Sequence, residues 1–160
     1  MLRRVTLLAA VIAVLSVTVV GAAWAVSKIG NNGDNRLVGS SASDYLAGLG
    51  GDDVLRGLEN DDLLEGDRGE DTAYGGSGSD EVYGNRGSDD VRGGGDSDDV
   101  YGNAGPDIIR GSDGNDFLWG EDGVEGNDKL IGGPGIEDYC EADSLDEIDK
   151  STCEFSNQYP

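Results

Sequence analysis

Glycine returns every nine residues along most of this chain, at Gly39, Gly48, Gly57, Gly66, Gly75, Gly84, Gly93, Gly102, Gly111 and Gly120, and again at Gly132 after an insertion of three. Two residues before each stands an apolar side chain: Leu37, Leu46, Leu55, Leu64, Ala73, Val82, Val91, Val100, Ile109, Leu118 and Leu130. Two residues earlier again lies Asn35, followed in step by Asp44, Asp53, Asp62, Asp71, Asp80, Asp89, Asp98, Asp107, Asp116 and Asp128. Three columns in step define a repeat array. No single unit of nine can bury a core, so the units must stack on one another.

The unit reads as half strand and half turn. Asp-x-apolar-x-Gly alternates with period two, so the apolar residue points inward and its neighbours outward, as in a half-buried strand. Residues 75 to 94 hold two of the most regular copies. The glycine-rich half supplies the turn. Glycines at the fourth loop position, such as Gly69 and Gly87, permit the positive φ of a tight loop, and Asn31, Asn85 and Asn103 at the second position tolerate the same region.

Composition taken alone points the other way. The chain carries 33 acidic and 11 basic side chains, no His and a formal net charge of −22. Beyond residue 25, Leu, Val, Ile and Phe make up 25 of 135 residues, about 19%, just under the rough 20% level below which a highly charged chain is expected to be disordered. Periodic placement of the apolar residues argues for a fold nonetheless, provided that something neutralises the acid.

These columns resemble the RTX, or haemolysin-type, calcium-binding nonapeptide repeat, whose pattern is Gly-Gly-x-Gly-x-Asp-x-apolar-x. The resemblance runs over roughly residues 33 to 140. It implies an all-β fold, a parallel β-roll solenoid with two repeats per turn, and Ca2+ held between loops stacked on the same side. Asp44, Asp53, Asp62, Asp71, Asp80, Asp89, Asp98, Asp107, Asp116 and Asp128 are then the metal ligands, each sharing an ion with the Asp eighteen residues along, so that Asp80 pairs with Asp62 and Asp98. The donor chemistry agrees: carboxylates and loop carbonyls are hard oxygen donors, and a flexible loop suits calcium better than the stricter magnesium. Aspartate that merely caps turns is the plainer alternative.

Departures mark weaker units. Ala42, Asn60 and Asp96 replace the fourth-position Gly, and Leu49 and Leu58 the second. Asn35 and Glu137 stand where Asp is expected and are not counted as ligands, and the insertion around Gly123 to Glu125 is expected to bulge from the stack or break the last ion row.

The ends divide the chain. Residues 1 to 25 read as a secretory signal peptide, with Arg3 and Arg4, an apolar run from Val5 to Val20, and Ala23-Trp24-Ala25 as the cleavage site. Its loss would take the net charge to −24, since two bases and no acid leave with it. An uncleaved membrane anchor is the alternative, because Leu7 to Val26 is uncharged over twenty residues. Residues 26 to 34 read as a flexible lead-in, 35 to 140 as the roll, and 141 to 160 as a C-terminal cap, with a short helical turn suggested by Leu145 and Ile148. Cys140 and Cys153 suit a disulfide in an exported chain; two free thiols are the alternative, and two Cys without His lack the ligands for zinc.

Two repeats per turn would stack residues eighteen apart and sort the outward positions into ladders. One is Tyr83, Tyr101 and Trp119, with Phe117 beside it; the other is Arg56, Tyr74, Arg92 and Arg110. The ladders are expected to stabilise a narrow sheet, and the aromatic one could further serve as a flat platform for a cell-surface or polysaccharide partner. Nucleic acid is not an expected partner, because the field of an acidic chain repels a polyanion. The expectation is a secreted, non-catalytic protein whose roll folds on binding calcium. Without His or a nucleophile elbow, little supports an enzyme.

Overall fold

The computed structural model describes residues 24–158 except Glu121, Glu125, Gly126, Ile136 and Glu154. The expected signal peptide therefore lies almost wholly outside the described residues. Among the described residues fifteen strands follow one another: β1 (Ser27–Asn31), β2 (Arg36–Val38), β3 (Tyr45–Leu49), β4 (Val54–Glu59), β5 (Leu63–Arg68), β6 (Thr72–Ser77), β7 (Glu81–Arg86), β8 (Asp90–Gly95), β9 (Asp99–Ala104), β10 (Ile108–Asp113), β11 (Phe117–Gly120), β12 (Lys129–Ile131), β13 (Tyr139–Ala142), β14 (Glu147–Ile148) and β15 (Phe155–Gln158).

The odd-numbered strands form one parallel sheet of eight and the even-numbered strands a second of seven. The chain thus crosses from one sheet to the other at every unit and returns after two, giving a parallel β-solenoid of about seven turns. Register confirms the eighteen-residue turn: Val82 lies opposite Leu64 on one side and Val100 on the other, and Val91 opposite Ala73 and Ile109.

Alternation decides what is inside. Along β7 the pattern is exposed, buried, half-buried, buried, with Val82 and Gly84 inward and Glu81 and Tyr83 outward. Leu46, Leu55, Leu64, Ala73, Val82, Val91, Val100, Ile109, Leu118 and Leu130 have no solvent exposure, so the core is a single file of apolar side chains from each sheet. Few residues contribute, which is why the Leu, Val, Ile and Phe content can be so low and still suffice for a fold.

The ends differ from the expectation. Ser27–Asn31, placed in a flexible lead-in, is a strand paired in parallel with β3, with Ile29 opposite Ala47. Gly30 stands nine before Gly39 and obeys the same column, so the array begins one unit earlier than its apolar residues suggest, Lys28 occupying the position opposite Leu46. At the other end no helical turn forms at Leu145 and Ile148. Ile148 is buried in β14 opposite Leu130, while Leu145 is exposed, because Asp146-Glu147-Ile148 repeats the Asp-x-apolar unit. Residues after 140 extend both sheets instead of forming a separate cap. Cys140 takes the apolar position opposite Leu118 and is bonded to Cys153 with a Cα–Cα distance of 5.8 Å.

Candidate metal centre

Each aspartate of the repeat turns into the corner between a loop and the following strand, and each is buried, from Asp44 through Asp128. One carboxylate oxygen closes the corner of the preceding turn. Asp62 Oδ1 accepts the backbone N–H of Asp44 at 2.7 Å, Asp80 Oδ1 that of Asp62 at 2.8 Å, Asp98 Oδ1 that of Asp80 at 2.8 Å and Asp116 Oδ1 that of Asp98 at 3.0 Å. The opposite corner has the same arrangement: Asp53 accepts from Asn35 at 2.6 Å, Asp71 from Asp53 at 2.7 Å, Asp89 from Asp71 at 2.7 Å and Asp107 from Asp89 at 2.8 Å. The aspartates thus fall into two files, one at each edge of the roll, with partners eighteen residues apart. At the first turn Asp44 Oδ1 accepts the Val26 N–H at 2.6 Å, while its Oδ2 accepts from Ser40.

The second oxygen is different. Oδ2 of Asp53, Asp62, Asp71, Asp80, Asp89, Asp98, Asp107, Asp116 and Asp128 is buried and receives no hydrogen bond. A buried carboxylate oxygen without a donor is costly, and a file of them at the strand spacing of about 4.8 Å is more so, since each charge repels the next.

The glycine column explains where these oxygens go. A Cβ on Gly57 would lie 2.1 Å from Asp62 Oδ2 and 2.6 Å from the carbonyl oxygen of Gly75; one on Gly48 would lie 2.1 Å from Asp53 Oδ2 and 2.7 Å from Gly66 O. Glycine is required here by room, since the oxygen of the Asp five residues later occupies the place of the missing side chain. The left-handed conformation belongs to the loop instead, where Gly69 and Gly87 adopt it, as do Asn85 and Asn103 but not Asn31. Leu49 and Leu58 are held there too, with φ of 79° and 106°.

Burial is the largest influence on the acidity of the file. It pushes the carboxyls up, to about 6 for Asp62, Asp89 and Asp116, about 7 for Asp71, Asp80, Asp107 and Asp128, and about 8 for Asp98; Asp53 moves in the same direction. Hydrogen bonds from the preceding turn pull back, and neighbouring carboxylates such as Asp80 and Asp116 beside Asp98 add to the rise. A dication would reverse this balance. Among the described residues no three His, Cys, Asp or Glu side chains gather on one point. Any ion in this corner therefore draws on one or two carboxylates and completes its shell with backbone carbonyls, a hard-oxygen set that fits calcium.

The insertion takes the first of its two expected forms, a bulge, and two positions, Asp138 and Asp146, correct the sequence reading. The insertion does not break the file: Asp107 N–H donates to Asp128 Oδ1 at 2.8 Å over twenty-one residues, and Val124 is exposed outside the stack. Glu137 is not the counterpart of the aspartates, because Asp138 is, its Oδ1 accepting the Asp116 N–H at 3.0 Å. Asp146 continues the other file, accepting from Asp128 at 3.2 Å. Both were legible as Asp-x-Cys140 and Asp-x-Ile148, but the spacings of ten and eight hide them from an alignment locked on nine. Asn35 also occupies a corner, its Oδ1 accepting the Asn31 N–H at 2.7 Å.

The aromatic ladder is not a flat platform. Tyr83 and Tyr101 stack with ring centroids 4.6 Å apart and planes 10° apart, Tyr101 and Trp119 at 4.5 Å and 2°, and Phe117 on Trp119 at 5.6 Å and 15°. The facing surfaces are spent on one another, so the ladder offers ring edges, whereas a sugar stacking on it would need ring faces.

Comparison with known proteins follows the same columns. The model of the RTX calcium-binding nonapeptide repeat matches residues 29–64, 56–91, 65–100, 92–124 and 101–136, which together span more than half of the chain. No curated protein and no solved structure matches it. Repeats of this kind bind calcium ions and are typically structural, without catalysis. On its repeats, their register and this match, the chain belongs to the RTX calcium-binding nonapeptide repeat family.

Proposed function

We propose that this is a secreted calcium-binding protein with no catalytic activity of its own, whose roll is assembled by the ion, and that the aspartate files are where the ion binds. One observation carries the reading: nine buried Oδ2 atoms without a hydrogen bond, several of them converging with a carbonyl oxygen on the place of a missing Cβ. Without a cation the chain must either protonate these groups or leave the fold. With calcium between successive turns, the oxygens gain a partner, and the free energy of binding becomes free energy of folding. Asp44 through Asp128 are the proposed ligands, joined by Asp138 and Asp146.

Export is supported by the basic, apolar and small-residue order of residues 1 to 25 and by the Cys140–Cys153 disulfide, a bond that persists in oxidising compartments. Extracellular calcium modules typically bind at roughly 0.1 to 1 mM, a range in which an exported chain would meet its ion only outside the cell.

Far-ultraviolet circular dichroism of the chain lacking residues 1 to 25, with calorimetric titration in parallel, tests the proposal. The expected result is a coil spectrum in chelator that turns to strand on adding calcium, with several ions taken up per chain. A spectrum already strand-like in chelator and unmoved by calcium would overturn it. The N-terminal residue of the secreted protein reports on export separately: Val26 supports cleavage, and an intact chain in membranes supports an anchor.

A further inference from the structure

The strand-centre columns on the two outer faces of the roll carry opposite net charge. On the odd-numbered sheet the two columns at the strand centres run Ser27, Tyr45, Leu63, Glu81, Asp99, Phe117, Tyr139 and, beside it, Ile29, the buried Ala47, Glu65, Tyr83, Tyr101, Trp119, Glu141, with four carboxylates and no Lys or Arg; Arg68 and Arg86 lie at the loop ends of their strands. On the even-numbered sheet they run Arg36, Val54, Thr72, Asp90, Ile108, Lys129, Glu147 and Val38, Arg56, Tyr74, Arg92, Arg110, Ile131, with five basic side chains and two carboxylates, Lys129 being paired with Glu147. This concentration of base lies in a chain of net charge −22.

Neither face balances its own charge. Glu81, which accepts from the Tyr83 hydroxyl, and Asp99 are register partners on adjacent strands, so two like charges sit at strand spacing and neither makes an ion pair among the described residues. On the other face Arg92 and Arg110 are also register partners and share the single Asp90, Arg92 at 3.0 Å. Arg36 and Arg56 are exposed and make no ion pair among the described residues. Together with Val54, Thr72, Tyr74 and Arg92 they line a shallow groove of about 570 Å³. Apolar surface accompanies the charge: Tyr74 is 38% exposed on the basic face and Phe117 47% exposed on the acidic one.

We propose that copies of this chain associate face to face, the basic face of one roll, centred on Arg36, Arg56 and Tyr74, against the acidic aromatic face of the next, centred on Glu81, Asp99 and Phe117. The two faces belong to one solenoid and share its axial repeat, so a side chain on each strand of one meets a side chain on each strand of the other in step, as when two sheets pack. Like faces repel and unlike faces attract, so the pairing is head to tail and does not close at two copies; it extends into open assemblies. The inference rests on calcium filling of the aspartate files, because without those cations the charge of the whole chain opposes association.

Sedimentation velocity of the chain lacking residues 1 to 25, with circular dichroism on the same samples, is the test. In calcium the wild-type protein is expected to sediment as growing species as its concentration rises, and to return to monomer in about 1 M salt, where screening falls to about 3 Å. Arg36→Glu with Arg56→Glu, and separately Glu81→Arg with Asp99→Arg, should each be monomeric in calcium, and an equimolar mixture of the two variants should associate again. A wild-type chain that turns to strand with calcium yet stays monomeric at every concentration overturns the proposal, and if that monomer binds polyglutamate through its Arg face, the occupant is an anionic polymer. A chain that shows no strand with calcium sinks the calcium reading itself, and with it this one. Should the charge-reversed variants not fold, the concentration and salt dependence of the wild type decides alone.

Discussion

The backbone N–H of Asp80 donates to Asp98 Oδ1 at 2.8 Å across one full turn of the roll, while Asp98 Oδ2 beside it takes no hydrogen bond. The two oxygens of this carboxylate thus have separate tasks: one ties turn to turn, and the other is the one proposed to meet a cation.

Removing that side chain should separate the tasks from mere acidity. Asp98→Ala leaves the buried N–H of Asp80 without an acceptor, a loss of about 1 to 3 kcal/mol, and removes a proposed ligand. Fewer calcium ions per chain and a lower melting temperature in calcium are expected by calorimetry. Glu137→Gln changes the charge by the same amount but lies outside the file, and should leave both quantities as they were.

Glycine at the end of the unit is held by space. Gly75→Ala would put a Cβ 2.3 Å from Asp80 Oδ2, and the expected cost is about 1 to 3 kcal/mol, with weakened calcium uptake. Gly95→Ala meets nothing nearer than Gly76 O at 3.9 Å and serves as the control, expected within about 0.5 kcal/mol of wild type by thermal unfolding in calcium.

Leu58 offers the opposite case, a residue whose replacement should help. Its φ of 106° is unfavourable for any side chain with a Cβ, it is 41% exposed, and its neighbours one and two turns on are Gly76 and Gly94. Leu58→Gly relieves backbone strain at little loss of burial and should stabilise the calcium-bound roll by about 1 kcal/mol, read as a rise in melting temperature.

Proton binding should act with opposite sign in the two states of the protein. In the metal-free roll burial pushes Asp62, Asp71, Asp80, Asp89, Asp98, Asp107, Asp116 and Asp128 up to about 6 to 8, above their ordinary value of 3.8, so the folded form binds more protons than the unfolded one. That contribution to stability is fully present below about pH 4 and is lost as pH rises through 6 to 8. In chelator, acidification from pH 8 toward 4 should therefore increase strand content. Calcium competes with the same protons, so its affinity should fall over the same interval, by calorimetric titration at stepped pH.

Much of this architecture could be read from spacing. The nine-residue step places the strands, whereas two units per turn was implied by the resemblance to the RTX repeat, and with it Arg56, Tyr74, Arg92 and Arg110 fall in one column as expected. Loss of step is what hid the rest. Lys28 stands where an apolar residue would have announced the first unit, and Asp138 and Asp146 fall off a strict count of nine because a corner can absorb or omit a residue while the strand stays in register. The need for Gly57 or Gly75 depends on an oxygen from another part of the unit, and ring stacking between Tyr83 and Tyr101 depends on side-chain orientation, neither of which a spacing encodes.

Between Asp107 and Asp128 the chain spends twenty-one residues on a circuit that takes eighteen in the turns before it, and twenty-two between Asp116 and Asp138, yet Ile108 still faces Lys129 and Ile109 still faces Leu130. Perimeter and pitch are therefore independent in this molecule. The corner at Gly123 and Val124, where an added Cβ on Gly123 meets nothing within 4 Å, is a display position: a foreign peptide grafted there would project at a known height along the rod while the turns above and below keep their phase.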